Sequence, residues 1–137
     1  MGVYLIRYTV AVAPFAKWMK RVPALFFRTS AGGEPVREWL LKMEPEDRKR
    51  IGADIQSVEF GWPIGMPACR PLKSGMYEVR SILLQGRIAR VIFYIDELSR
   101  MVLLHGFIKK TQKTPDQDLD IARKNKRLHE LEMRTMR

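Results

Sequence analysis

The sequence contains one cysteine, Cys69, and only two histidines, His105 and His129, which lie far apart along the chain. One cysteine excludes an internal disulfide framework and a cysteine-rich metal site. The histidines lack neighbouring ligands at metal-site spacing, so we expect no metal and no cofactor. No apolar run reaches the roughly 18 residues of a transmembrane helix, so we expect a soluble globular protein with no membrane partner.

The first 22 residues, "MGVYLIRYTVAVAPFAKWMKRV", loosely imitate a secretory signal. Their positive charge follows the apolar run, which is the reverse of the order in such a signal. We therefore predict an N-terminal extension at 1–22, a single domain at 23–133 and a cytoplasmic location. A contact with a membrane surface through Trp18 is the alternative, although Pro14 interrupts the segment.

The net charge of +10 is distributed unevenly along the chain. Residues 68–110 carry eight basic and three acidic side chains, whereas residues 34–67 carry five basic and seven acidic ones. Such a cationic segment is typical of proteins that bind a phosphate-bearing partner such as nucleic acid. A basic surface that only aids solubility is the alternative.

Proline positions and apolar spacing predict three helices. Pro35 and Pro45 stand where helices can begin, because proline suits the first helical position. Apolar residues then recur at helical spacing in two sets: Val36, Trp39, Leu40 and Met43, and Ile51, Ile55 and Val58. A third helix is predicted over 115–132, with Thr114 as its N-cap and aspartates in its first half that suit the helix dipole.

Four segments have the composition or alternation of strands: 24–29, 76–83, 87–95 and 100–108. Short links join the last three, so an antiparallel meander is the simplest topology. The glycines and prolines of "FGWPIGMPACRP" predict a loop before the meander. The element order, β-α-α-β-β-β and a C-terminal helix, predicts one α+β domain.

Alternation along the meander predicts an exposed sheet face that is rich in basic side chains. His105 is expected to share a face with Leu103 and Phe107. The polar side chains that can gather on the exposed face are Arg80, Arg90, Tyr94, His105 and Lys109, with Lys110 and Lys113 just past its edge. Such a face suits RNA, because phosphate contacts supply affinity and an aromatic ring can stack on an unpaired base.

This face could also cleave RNA without a metal ion, because ribose supplies the nucleophile in its 2′-hydroxyl group. The protein has to accept the hydroxyl proton and neutralise the phosphate, which arginine and lysine can do. The general base stays open between His105, Glu78 and Tyr94. Structural alternatives exist for each group: His105 and Tyr94 can be packing residues, Arg80 can form a surface ion pair, and the lysines can be a solvated edge.

Three long segments carry a resemblance to a known family: "GMPACRPLKSGMYEVR", "GRIARVIFYID" and "VLLHGFIKKTQKTPDQDLDIARK". Together with "VREWL" they are similar to the RelE/HigB superfamily of toxin–antitoxin ribonucleases, in its phage-derived HigB-like branch, over 24–130. The resemblance implies a RelE-like fold in which two N-terminal helices pack on a small antiparallel sheet. It also implies a metal-independent endoribonuclease that cleaves mRNA, commonly on the ribosome, and inhibits translation.

The resemblance implies partners and site residues as well. A cognate antitoxin, often with a helix-turn-helix DNA-binding domain, is expected to neutralise the toxin and to bring the pair to operator DNA. By motif position, the basic residues expected in catalysis are Arg80, Arg90, Lys109 and Lys110, to which the chemistry above adds His105. The side chains expected to contact RNA are Lys73, Tyr94 and Lys113.

The chain departs from some relatives near its C-terminus. Some members use a tyrosine or histidine there in catalysis, and no tyrosine follows Tyr94 in this sequence. Related folds also include toxins that poison gyrase. The alternative function is therefore a non-catalytic toxin or interaction module of the same fold, which binds gyrase or binds RNA without cleavage.

Overall fold

The computed structural model of the protein describes residues 19–109 and 113–136, so most of the predicted N-terminal extension lies outside the described residues. Strands and helices follow each other in the predicted order, with one additional strand. The elements are β1 (Ala24–Phe26), α1 (Pro35–Leu41), α2 (Pro45–Gly61), β2 (Cys69–Pro71), β3 (Tyr77–Ile82), β4 (Ile88–Ile95), β5 (Met101–Lys109) and α3 (Asp116–Thr135).

The five strands form one sheet in the order β1-β5-β4-β3-β2. Strands β3, β4 and β5 form the predicted antiparallel meander, and β2 pairs antiparallel with β3 at one edge. At the other edge β1 runs parallel to β5, so the sheet is mixed. The α+β class is confirmed, and an entirely antiparallel sheet is corrected to a mixed one.

Two local predictions are corrected. Strand β2 lies inside the segment that was predicted to be a loop, where Pro71 is tolerated because an edge strand leaves its N–H side unpaired. Helix α3 begins at Asp116 with Pro115 as its N-cap, and no side chain caps it. Thr114 lies one residue before the N-cap position, and its hydroxyl donates a hydrogen bond to the carboxylate of Glu78.

Each face of the sheet is covered by helices. Helices α1 and α2 pack on one face, where Val36, Ile55, Val91 and Leu103 belong to the larger apolar cluster. Helix α3 packs on the other face, where a second cluster includes Ala122. In the part of the chain that the structure describes, no helix is long and apolar enough to cross a membrane.

A β-bulge in β5 changes which side chains face α3. Ile92 pairs with His105 and Phe93 pairs with Leu103, so Leu104 is one extra residue on β5. Leu103 therefore joins the cluster beneath α2, while His105 faces α3, and the prediction that both share a face is wrong. After the bulge, alternation resumes and turns Gly106 toward α1, where a Cβ atom at that position would stand 2.5 Å from the Trp39 ring.

Candidate functional site

Three arginines, one from each of β2, β3 and β4, lie on the sheet face that α3 covers. Arg80 stands opposite Arg90 in the ladder, and Arg70 stands opposite Glu78. Arg90 is fully buried, whereas Arg70 and Arg80 are half-buried. We call Arg70, Arg80 and Arg90 the arginine cluster. Neighbouring strands in a sheet are about 5 Å apart, so strand pairing brings these positive charges close together.

The arginine cluster surrounds a buried carboxylate. Glu78 is 0% exposed, and its Oε1 lies 3.9 Å from Arg90 Nε. Its Oε2 accepts a hydrogen bond of 2.7 Å from the hydroxyl of Thr114, and Arg90 Nη1 donates to the carbonyl of Lys113 at 3.3 Å. Buried charges persist in proteins when they are paired and hydrogen-bonded. Glu78 thus holds the cluster together and ties it to the segment that leads into α3.

Electrostatics make the cluster attractive to an anion. Burial lowers the pKa of Arg90, the carboxylate of Glu78 opposes that effect, and the positive charges of Arg80 and Arg70 lower the pKa further. An arginine remains protonated at neutral pH in spite of such a shift. Positive charges that crowd each other at a partly dehydrated site are stabilised by a bound phosphate.

A histidine–carboxylate pair lies beside the cluster. His105 Nε2 is 2.7 Å from Oδ1 of Asp118, which belongs to the first turn of α3. Both side chains are partly accessible, at 17% and 15% exposure. The pair therefore joins β5 to α3 while remaining in contact with solvent.

Phe107 connects the pair to the arginine cluster. Its ring stacks on that of His105 at a centroid distance of 5.7 Å, and the Arg90 guanidinium lies 5.9 Å from its centroid. In the ladder, Phe107 faces Arg90 directly, which makes His105 the diagonal neighbour of Arg90. Such neighbours are about 7–8 Å apart, so the charge of the buried Arg90 lies near the accessible His105–Asp118 pair.

The structure places the predicted basic residues unevenly. Arg80, Arg90, His105 and Lys109 share the α3 face, with Lys109 exposed at the end of β5. The prediction that this face is exposed is wrong for Arg90 and Tyr94, because both are buried, Tyr94 beneath α3 and Arg90 against the segment that leads into α3. The strand alternation gave the correct face, but it could not show what covers that face.

The lysines do not form one group. Lys113 is exposed next to the cluster, and its backbone carbonyl contacts Arg90. Lys73 lies in the turn between β2 and β3, at the end of β3 that is distant from Arg80. Lys110 falls outside the described residues.

Tyr94 belongs to a separate polar network beneath the second half of α3. Its hydroxyl shares a hydrogen bond with Nδ1 of His129, and Nε2 of that ring lies 4.0 Å from Asp96, which pairs with Arg100 at 2.8 Å. Burial raises the pKa of Tyr94 well above its ordinary value, with a smaller effect from nearby carboxylates. A cavity of about 460 Å³ opens beside it, with Lys126 among the lining residues. Tyr94 therefore has a structural role in this arrangement and is not suited to act as a general base.

Three residues of the site were not singled out from the sequence: Arg70, Thr114 and Asp118. Arg70 was assigned to a loop, Thr114 to helix capping and Asp118 to the helix dipole. Only Asp118 has a signal in the sequence. It is a carboxylate in the first turn of the helix that follows the strand of His105, so the two side chains can come close enough to pair. Among the residues that the structure describes, no three His, Cys, Asp or Glu side chains gather as ligands for a metal ion.

Comparison with protein families gives a match over most of the domain. No curated protein matches the sequence. The profile of the family described as "Phage derived protein Gp49-like (DUF891)" matches residues 38–127, which is more than half of the chain. The matched range contains the arginine cluster, Glu78 and the His105–Asp118 pair. The chain therefore belongs to the phage-derived Gp49-like family.

Proposed function

We propose that this protein is the toxin of a type II toxin–antitoxin system of the RelE/HigB kind, a metal-independent endoribonuclease that cleaves mRNA. One observation carries the proposal: the arginine cluster and the His105–Asp118 pair lie on the same sheet face and are joined through Phe107. A phosphate-binding group and a proton acceptor are the two parts that cleavage by a ribose hydroxyl needs. Membership of the Gp49-like family and the resemblance of the last strand and its exit support the same function.

The proposed mechanism begins with the phosphate backbone of RNA at the solvent-accessible side of the cluster. Arg80 and Lys109 contact the RNA backbone, and Lys113 extends the row of basic side chains past the end of β5. The 2′-oxygen attacks the adjacent phosphorus while His105 accepts its proton. The guanidinium groups then stabilise the additional negative charge of the pentacovalent phosphate, which is where preorganised charge has its largest effect.

Partners follow from this proposal. The substrate is mRNA, on the ribosome, and cleavage there inhibits translation. A cognate antitoxin neutralises the toxin, and the pair binds operator DNA through the antitoxin.

Product chemistry tests the proposal. Purified protein is incubated with ribosomes programmed with mRNA, and the new RNA ends are mapped. We expect 2′,3′-cyclic phosphate and 5′-hydroxyl ends, and no cleavage where a 2′-deoxy nucleotide replaces the one before the scissile bond. Ends with a 5′-phosphate, or cleavage of the 2′-deoxy substrate, would contradict a mechanism that uses the ribose hydroxyl.

Substitution of the accessible cations tests the site. Arg80→Ala and Lys109→Ala each remove a positive charge near the phosphate, so we expect cleavage about 10²-fold slower and relief of growth arrest. Lys49→Ala is the matched control, because Lys49 is exposed on α2, which packs on the opposite face. Equal activity of all three variants would show that the site lies elsewhere.

A second candidate function is RNA binding without cleavage. The burial of Arg90 and of Tyr94 favours it, since neither buried side chain can contact a substrate directly. In that case Arg80→Ala still weakens RNA binding and lowers its salt dependence, but wild-type protein leaves the mRNA intact.

A further inference from the structure

The hydrogen bond between His105 and Asp118 determines which nitrogen of the imidazole ring can act as a base. An ionised carboxylate only accepts hydrogen bonds. At 2.7 Å from Asp118 Oδ1, Nε2 of a neutral His105 must therefore carry the hydrogen and donate it. The lone pair is left on Nδ1, the other ring nitrogen.

The position of Asp118 suits this role. It lies in the first turn of α3, where the helix dipole stabilises a negative charge. Phe107 stacks on the imidazole ring and restricts its plane. The side chain of Asn125 holds α3 to the bulge immediately before His105, through a 2.9 Å hydrogen bond from its Nδ2 to the carbonyl of Leu104. Ring, carboxylate and backbone are thus fixed relative to one another.

We propose that Asp118 is a positioning residue: it holds His105 in the tautomer that presents Nδ1 as proton acceptor to the 2′-hydroxyl of RNA. The proposal rests on the proposed ribonuclease function. In the step itself, the bond from the 2′-oxygen to phosphorus forms and the bond from phosphorus to the 5′-oxygen breaks. The proton that Nδ1 accepts returns through solvent water to the departing 5′-oxygen, so His105 ends neutral.

Replacement of Asp118 with asparagine tests whether Asp118 positions His105 or only packs against it. Asp118→Asn keeps the size and position of the side chain, but an amide can donate to Nε2 as well as accept from it. The tautomer is then no longer imposed, and Nδ1 loses its role as the base. We expect kcat to fall by about 10²-fold or more, in the range of a lost general base, while KM stays within about twofold.

Two further variants separate the possible causes. Asp120→Asn removes the same charge from the same end of α3, and its side chain is 71% exposed and pairs only with the surface residue Arg123 among the described contacts. We expect wild-type activity from it. Asp118→Glu keeps a carboxylate, so it should recover at least tenfold of the activity lost in Asp118→Asn.

The tautomer itself is measured by the ¹⁵N chemical shifts of the imidazole ring above neutral pH, with His129→Gln used to assign the two histidines. We expect the Nε2–H form at His105 in wild type and a mixed or reversed population in Asp118→Asn. A wild-type His105 in the Nδ1–H form overturns the proposal, whatever the kinetics. If wild type cleaves RNA and Asp118→Asn matches Asp120→Asn, the positioning role is overturned while the ribonuclease function stands. If wild type yields no cleavage on the ribosome, the proposed function fails and the catalytic part of this proposal fails with it.

Discussion

The buried carboxylate of Glu78 offers the sharpest test of how the site is built. Replacing it with glutamine keeps the shape of the side chain and leaves an amide oxygen that can still accept from Thr114. The change removes only the negative charge among three arginines. Arg90, which is also fully buried, then loses the carboxylate that lies 3.9 Å from its Nε.

The size of the effect follows from burial. Removing one partner of a buried ion pair leaves an uncompensated charge and costs about 3–5 kcal/mol. The 3.9 Å separation of the charged atoms and the retained hydrogen bond place Glu78→Gln at the lower end, at about 3 kcal/mol. For a domain of this length that corresponds to a Tm lower by about 10 °C.

Urea denaturation followed by circular dichroism measures the free energy of unfolding directly. Glu130→Gln is the matched control, because Glu130 is half-buried at the surface and pairs with Lys126 at 3.3 Å. Loss of such a pair at the surface costs less than about 1 kcal/mol. If the two variants lose the same stability, then the charge of Glu78 does not hold the arginine cluster together, and the reasoning from burial is wrong.

Two further predictions concern the packing beneath the helices. Gly106→Ala forces a Cβ to within 2.5 Å of the Trp39 ring, so we expect urea denaturation to show a loss of about 1–3 kcal/mol in the free energy of unfolding. Gly65→Ala is the control, because a Cβ at that position has open space around it. Equal denaturation midpoints for the two variants would show that the Trp39 ring moves away at no cost. Burial lowers the pKa of His129, so the folded chain binds fewer protons at this residue than the unfolded chain does. The stabilisation by neutral His129 is therefore complete above the ordinary histidine pKa of about 6.5 and is lost as the pH falls below it. His129→Gln should flatten the decline in stability between about pH 7 and 5.5, and an unchanged slope would contradict this assignment.

Local patterns were sufficient for most of the fold. Val36 and Leu40, and likewise Ile51 and Ile55, are buried at the helical spacing that predicted α1 and α2. The alternation of β3 correctly separated Val79 from Glu78. Strand β2 was missed because it has three residues and exists through pairing with β3, which its own composition does not indicate. A short edge strand of this kind depends on non-local hydrogen bonds more than on propensity.

The candidate site was predictable only in part. Alternation correctly placed Arg80, Arg90 and Tyr94 on one face of the sheet. It could not show the register that sets Arg80 opposite Arg90, since register depends on the partner strand. Nor could it show that α3 returns over this face to supply Asp118, because such a contact joins residues through tertiary packing.

The extra residue at Leu104 divides β5 into two halves with different tasks. Before the bulge, Met101 and Leu103 follow one alternation and serve the core; after it, His105 and Lys109 follow the opposite one and face the site. A strand with the same residues but without the bulge would turn every later side chain of β5 over, whereas deletion of Leu104 would place His105 directly after Leu103 and keep the later side chains on their present faces. Gain or loss of one residue after His105 would instead exchange the faces of the side chains beyond it, so the second half of β5 should tolerate substitutions better than changes in length.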